Sequence, residues 1–135
     1  METSAPLLVR PRIVTVAVMV LWAAWILSGC MTLYFHQLAI SLGLKSNFGL
    51  LAGACGLVVQ AIAIYFLGRG NRFARILAII LLVVALPGVY YYLREGFQYF
   101  PVPASLSLLG VAARCVAVGL VFTTAARPWF QQSTN

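Results

Sequence analysis

Very few groups in this 135-residue chain could do chemistry inside its long apolar stretches, and Arg114 and Gln60 are the foremost of them. Arg114 stands in the apolar run 104–126, about ten residues or roughly 15 Å from either end at helical rise. A guanidinium there costs about 2.5–3.5 kcal/mol to insert, while each apolar neighbour returns only a few tenths. The only carboxylates are Glu2, near the N-terminus, and Glu95, beyond the third apolar run, so neither is expected at the depth of Arg114. Gln60 is expected there. Its amide oxygen can accept from the guanidinium but cannot neutralise it. Two uses of Arg114 follow. Either it is satisfied within the chain by Gln60, serines and carbonyls, or by reaching water. Or it meets an anionic group from outside: a lipid phosphate, a quinone-like or other anionic ligand, or a carboxylate on a partner helix.

The rest of the inventory is sparse. His36 is the single histidine, beside Tyr34 and Phe35 where the first apolar run ends, and reads as interfacial. Cys30, Cys55 and Cys115 fall inside apolar runs without a C-x-x-C pair, which points to structural thiols. The chain offers no paired carboxylates, no serine–histidine arrangement and no metal-ligand cluster. That inventory points to a non-enzymatic protein with no catalytic residue, no metal and no cofactor.

The elements that must position Arg114 and Gln60 are set by composition. With 63% hydrophobic and 8% charged residues and a mean hydropathy of +1.00, the chain belongs to the membrane class, since a soluble domain carries about a quarter charged residues. Four spanning helices are expected, over 13–35, 48–67, 73–93 and 104–126. The links are short, so 1–135 reads as one all-α four-helix bundle. The net charge of +7 needs no nucleic acid, because the cations sit at helix ends. Arg10, Arg12, Arg69, Arg72, Arg75 and Arg127 fall on one side and Lys45 and Arg94 on the other. Both termini and the hinge 68–75 are therefore expected on the cytoplasmic face.

Within the second run, Gly49, Gly53, Gly56 and Gln60 recur at helical spacing and fall within about 60° of one another. Small residues in such a stripe let another helix approach closely. The fourth run has its own stripe of Ser107, Gly110, Arg114, Ala117 and Ala125. Pro87 should kink the third helix, and Pro103 suits the first turn of the fourth. Tyr90 to Tyr92, with Phe97, Tyr99 and Phe100, reads as an aromatic belt. Leu27-Ser28-Gly29-Cys30 has the form of a lipobox, but the apolar run continues to Phe35, so an uncleaved span is expected.

The hinge Gly68-Arg69-Gly70-Asn71-Arg72-Phe73-Ala74-Arg75 resembles a Gly-Arg-x-x-Trp-Ala-Arg element. That element recurs between the second and third helices of small uncharacterised bacterial four-helix membrane proteins; Phe73 stands in place of the tryptophan. The resemblance covers these eight residues and the helix pattern, and implies a bacterial inner-membrane setting but no activity. The expected function is a non-enzymatic integral membrane protein that binds a partner within the bilayer, as an accessory subunit or a toxin-immunity protein. The alternatives are a small oligomeric transporter or channel for an anionic solute, or an anionic-lipid-binding protein. Expected partners are membrane lipids and a membrane protein or further copies of the chain.

Overall fold

The computed structural model describes residues 9–43 and 48–131, except for the side chains of Phe48, Tyr91, Tyr92 and Glu95. Glu2, Lys45 and the polar C-terminal tail lie outside the described residues. Four long helices form: α1 (Arg12–Ser41), α2 (Phe48–Gly68), α3 (Arg72–Tyr91) and, after a corner, α5 (Pro101–Val121). Two short helices complete the order, α4 (Phe97–Tyr99) between α3 and α5, and α6 (Arg127–Gln131) after α5. The long helices are each apolar and long enough to cross a membrane. The protein is an all-α integral membrane bundle in which α1 packs against α2 and α5, and α3 packs against α2 and α5.

Three boundaries differ from those expected of the sequence. The first helix runs six residues past Phe35, to Ser41, because His36 to Ser41 contains no glycine or proline. It ends only where Gly43 takes a φ of 75°. The link expected after residue 93 is helical as well. A π-helical turn at Tyr92–Gly96 leads into α4, and Phe100 (φ −141°, ψ 68°) alone makes the corner before Pro101 opens α5. Pro101 and Pro103 fit that first turn because its N–H groups have no intrahelical acceptor. At the other end α5 stops at Val121 rather than 126, where the Thr123 hydroxyl donates to the Leu120 carbonyl (2.7 Å) and competes with the backbone. Pro87 lies inside α3, which continues through it.

The hinge between α2 and α3 is fixed by two local devices. Asn71 N donates to Phe66 O (3.1 Å) and Gly70 N to Leu67 O (3.1 Å), closing α2 with a Schellman motif. That motif needs a left-handed residue, and Gly70 supplies it with a φ of 81°. Asn71 then caps α3, its Oδ1 accepting from Phe73 N at 2.8 Å. The turn is a short corner with its backbone groups hydrogen-bonded.

Both described ends of the chain meet this corner. A Cβ on Gly68 would lie 3.6 Å from the Arg10 guanidinium, and one on Gly70 would lie 2.8 Å from the Trp129 carbonyl oxygen. Arg72 donates to the carbonyls of Phe130 (2.9 Å) and Gln131 (3.2 Å), satisfying the end of α6. The Arg75 guanidinium lies 4.3 Å from the Phe122 ring centre and 4.8 Å from that of Phe130. Burial of Arg10 lowers its pKa from the ordinary arginine value. Arg10, Arg12, Arg69, Arg72, Arg75 and Arg127 thus share one end of the bundle, here termed the hinge end. Arg94 lies at the opposite end, where it donates to the Tyr90 hydroxyl (3.2 Å).

Candidate functional site

The structure brings Arg114 and Gln60 together, as their depths in the sequence implied. Arg114 Nη2 donates to Gln60 Oε1 at 3.0 Å, to the Ser28 hydroxyl oxygen, and at a long 3.5 Å to the Ala24 carbonyl. Three helices therefore converge on one nitrogen: α5 supplies the donor, and α1 and α2 the acceptors. Ser28 is itself held in place, its hydroxyl donating to Ala24 O (2.9 Å). Ser28 entered the sequence reading only as a letter of the lipobox. Its depth, near the middle of the first helix, was the signal that it shared a level with Arg114.

Every acceptor falls on Nη2. Nη1 and Nε of Arg114 have no hydrogen bond among the described residues. A guanidinium carries five N–H donors and no acceptor, so three of its five hydrogens remain to be satisfied. No described side chain is a carboxylate; Glu95 sits on the π-helical turn at the far end and its side chain is not among those described. Within these residues Arg114 is positioned but not neutralised. It also lies off the helix centre, about 20 Å from Pro101 and about 10 Å from Val121 at 1.5 Å per residue, since α5 is shorter at its hinge end than expected. That shift toward an interface lowers the cost of its charge.

Arg114 separates two cavities. On the hinge side is a chamber of about 40 Å³ bounded by Leu21, Gln60, Ile64, Leu67, Leu81 and Val118. Toward the opposite end is a larger cleft of about 220 Å³ between α1, α3 and α5. Its walls are mostly apolar, with Leu27, Met31, Phe35, Val89, Leu106 and Val111 prominent. Gly88 and Gly110 give it room. Ser107 also borders the cleft, and its hydroxyl is buried without a hydrogen-bond partner. Ser107 and Arg114 are seven positions apart on α5, which places them on one face about two turns, or roughly 10 Å, apart.

The glycine stripes divide. A Cβ on Gly53 would come within 2.7 Å of Thr32 Cγ2, so α1 and α2 approach closely there. A Cβ on Gly110 would lie 3.4 Å from Leu27 Cδ2. At Gly49 and Gly56 a Cβ would meet nothing within 4 Å among the described residues, so within these residues those two do not make the contact that the stripe implied. A stripe shows which residues share a face, not where the neighbouring axis crosses it. The α1–α2 approach is also fixed by Trp25, whose Nε1 donates to the Leu57 carbonyl at 2.7 Å. Arg69 donates to Tyr65 OH (3.1 Å). Arg72 and Arg75, expected only to orient the chain, also hold α6 on the hinge. Cys30, Cys55 and Cys115 are exposed free thiols.

No protein-family model, no curated protein and no solved structure matches the chain.

Proposed function

We propose that this protein is a non-enzymatic membrane binding protein that captures an anionic group of a partner inside the bilayer through Arg114. The observation that carries the reading is the division of labour on one guanidinium. Nη2 is held by Gln60, Ser28 and the Ala24 carbonyl, Nη1 and Nε have no hydrogen bond among the described residues, and Arg114 borders a 220 Å³ cleft. A charge left unneutralised in a low-dielectric interior is costly, which favours an anionic group from outside the chain for Arg114. Binding is favoured over conduction by the hinge end, where Val14, Leu67, Val121 and Phe130 are almost fully buried and close the bundle beyond Arg114 among the described residues.

The experiment is partner capture by Arg114 variants. Arg114→Leu removes an unneutralised charge together with the anchoring bonds, so the fold should persist in detergent while the co-purifying partner is lost. Arg114→Lys keeps the charge but has one nitrogen where arginine has three. It can satisfy Gln60 and Ser28 or present donors to the cleft, not both in the same geometry, and should also lose the partner. Unchanged co-purification by both variants would end the reading.

The setting we propose is a bacterial inner membrane with the hinge end cytoplasmic, supported by the six arginines gathered there and by the hinge resemblance. Reporter fusions after Arg69 and at the C-terminus should read cytoplasmic, and one at Gln98 external. An external C-terminus would overturn the orientation.

A further inference from the structure

We propose that the cleft between α1, α3 and α5 takes a single-chain amphiphile, its oxyanion on Arg114 and its apolar chain directed toward the end of the bundle opposite the hinge. This rests on the binding role of Arg114 proposed above and names the class of group captured. Three features of the cleft select that class. Its inner end is bordered by the cation Arg114, whose Nη1 and Nε have no hydrogen bond and no carboxylate to neutralise them among the described residues. Between Arg114 and Ser107 the walls are Leu27, Met31 and Val111, which suit methylenes and would leave a compact hydrated anion poorly solvated along its path. Near its outer part Ser107 borders the cleft with a hydroxyl that is buried and has no partner among the described residues, so that a rotamer change of this side chain would turn it toward a bound chain.

The order of these groups sets the orientation. With its oxyanion at Arg114, an extended chain passes Ser107 roughly 10 Å away, two helical turns toward the start of α5. The reverse orientation would place the oxyanion near Ser107, Leu106 and Phe35 and leave Arg114 unneutralised, so it is disfavoured by charge. A chain bearing a hydroxyl or carbonyl at that distance from its oxyanion would also satisfy Ser107. The cleft therefore discriminates on two points, charge at one end and a hydrogen-bonding group two turns away. A carboxylate and a phosphate monoester share the required chemistry, and the two differ in source: a free fatty acid or a phosphorylated lipid fragment.

Calorimetric titration of the full chain in non-ionic detergent, against empty micelles, tests this with octanoate, its ω-hydroxy derivative, octyl phosphate, octanol and acetate. Octanoate or octyl phosphate should bind, and which binds tighter tells the carboxylate source from the phosphate source. Octanol should bind about tenfold to a hundredfold more weakly, the worth of a hydrogen bond to a charged group. Arg114→Leu should abolish the difference between octanoate and octanol. The ω-hydroxy derivative should exceed octanoate by about twofold to tenfold, and Ser107→Ala should remove that advantage alone. Gly88→Leu places a side chain at the cleft wall where a Cβ has open space. It leaves Arg114 intact and should block every chain-bearing probe, which separates occlusion of the cleft from loss of the charge. Acetate binding as tightly as octanoate, or octanol binding as well as octanoate, would overturn the proposal. If no probe binds but a membrane protein co-purifies in an Arg114-dependent way, the amphiphile is refuted while the binding role stands.

Discussion

The two ends of this bundle solve opposite problems with the same kind of residue. At the hinge end arginines serve structure: Arg72 closes the carbonyls of α6, and Arg75 lies against the rings of Phe122 and Phe130, although Nε of Arg10 and of Arg75 is buried without a hydrogen-bond partner among the described residues. The side chains between them are packed, with Val14, Leu67, Val121 and Phe130 at most 1% exposed. Beyond Arg114 the bundle opens into a cleft, and the arginine at its inner end is only partly satisfied. Tight packing marks the part that holds the molecule together. Loose packing with spare donors marks the part left for something else.

The sharpest way to break this comparison is to truncate a large side chain at each end. Phe130→Ala should cost about 3–5 kcal/mol, since a buried ring is removed from a closed core. It should also release α6 from Arg75. Leu106→Ala at the cleft wall, where the surroundings are already open, should cost clearly less. Thermal unfolding in detergent checks both, and equal losses would mean that the ends do not differ in packing.

A smaller effect is expected along α2. Gly53→Leu drives a side chain into Thr32 and should cost about 1–3 kcal/mol. Gly49→Leu and Gly56→Leu enter open space and should change little. Equal destabilisation at all three positions would restore the full stripe as an interface. The smallest effect is at Ser107. Ser107→Ala removes a buried hydroxyl that has no partner, so stability should stay level or rise by a few tenths of a kcal/mol. A clear loss would show that the hydroxyl is bonded and that the cleft is not built for a ligand.

Much of the fold was legible because it depends on local composition. Four long apolar runs fix four long helices, and the Gly70-Asn71 pair carries the turn that separates two of them. The boundaries were less legible. The first helix outran its expected end because apolarity falls at His36 while helical propensity does not, and only Gly43 changes the backbone. The fourth helix stopped short because a threonine hydroxyl took a backbone carbonyl, a choice that hydropathy does not register. At the candidate site, Arg114 and Gln60 could be paired by depth alone. Depth put Ser28 at the same level too, but that Ser28 and Ala24 face Arg114 could not be read, because which face of α1 turns toward α5 is not written in a helix that is apolar all round.

By itself the sequence determined the membrane class, the number of spans, the arginine-rich end, and an intramembrane cation without an acid of its own among the apolar runs. Those properties are sums over neighbouring residues, and any folded arrangement must keep them. Only the tertiary structure decided that one nitrogen of Arg114 anchors it while two have no hydrogen bond among the described residues, that Gly53 and not Gly56 makes the close approach, and that α6 seats on the hinge. These depend on the rotation of each helix about its axis and on the distance between axes. Such quantities are set when all four helices pack at once, and they leave no periodicity in any single one.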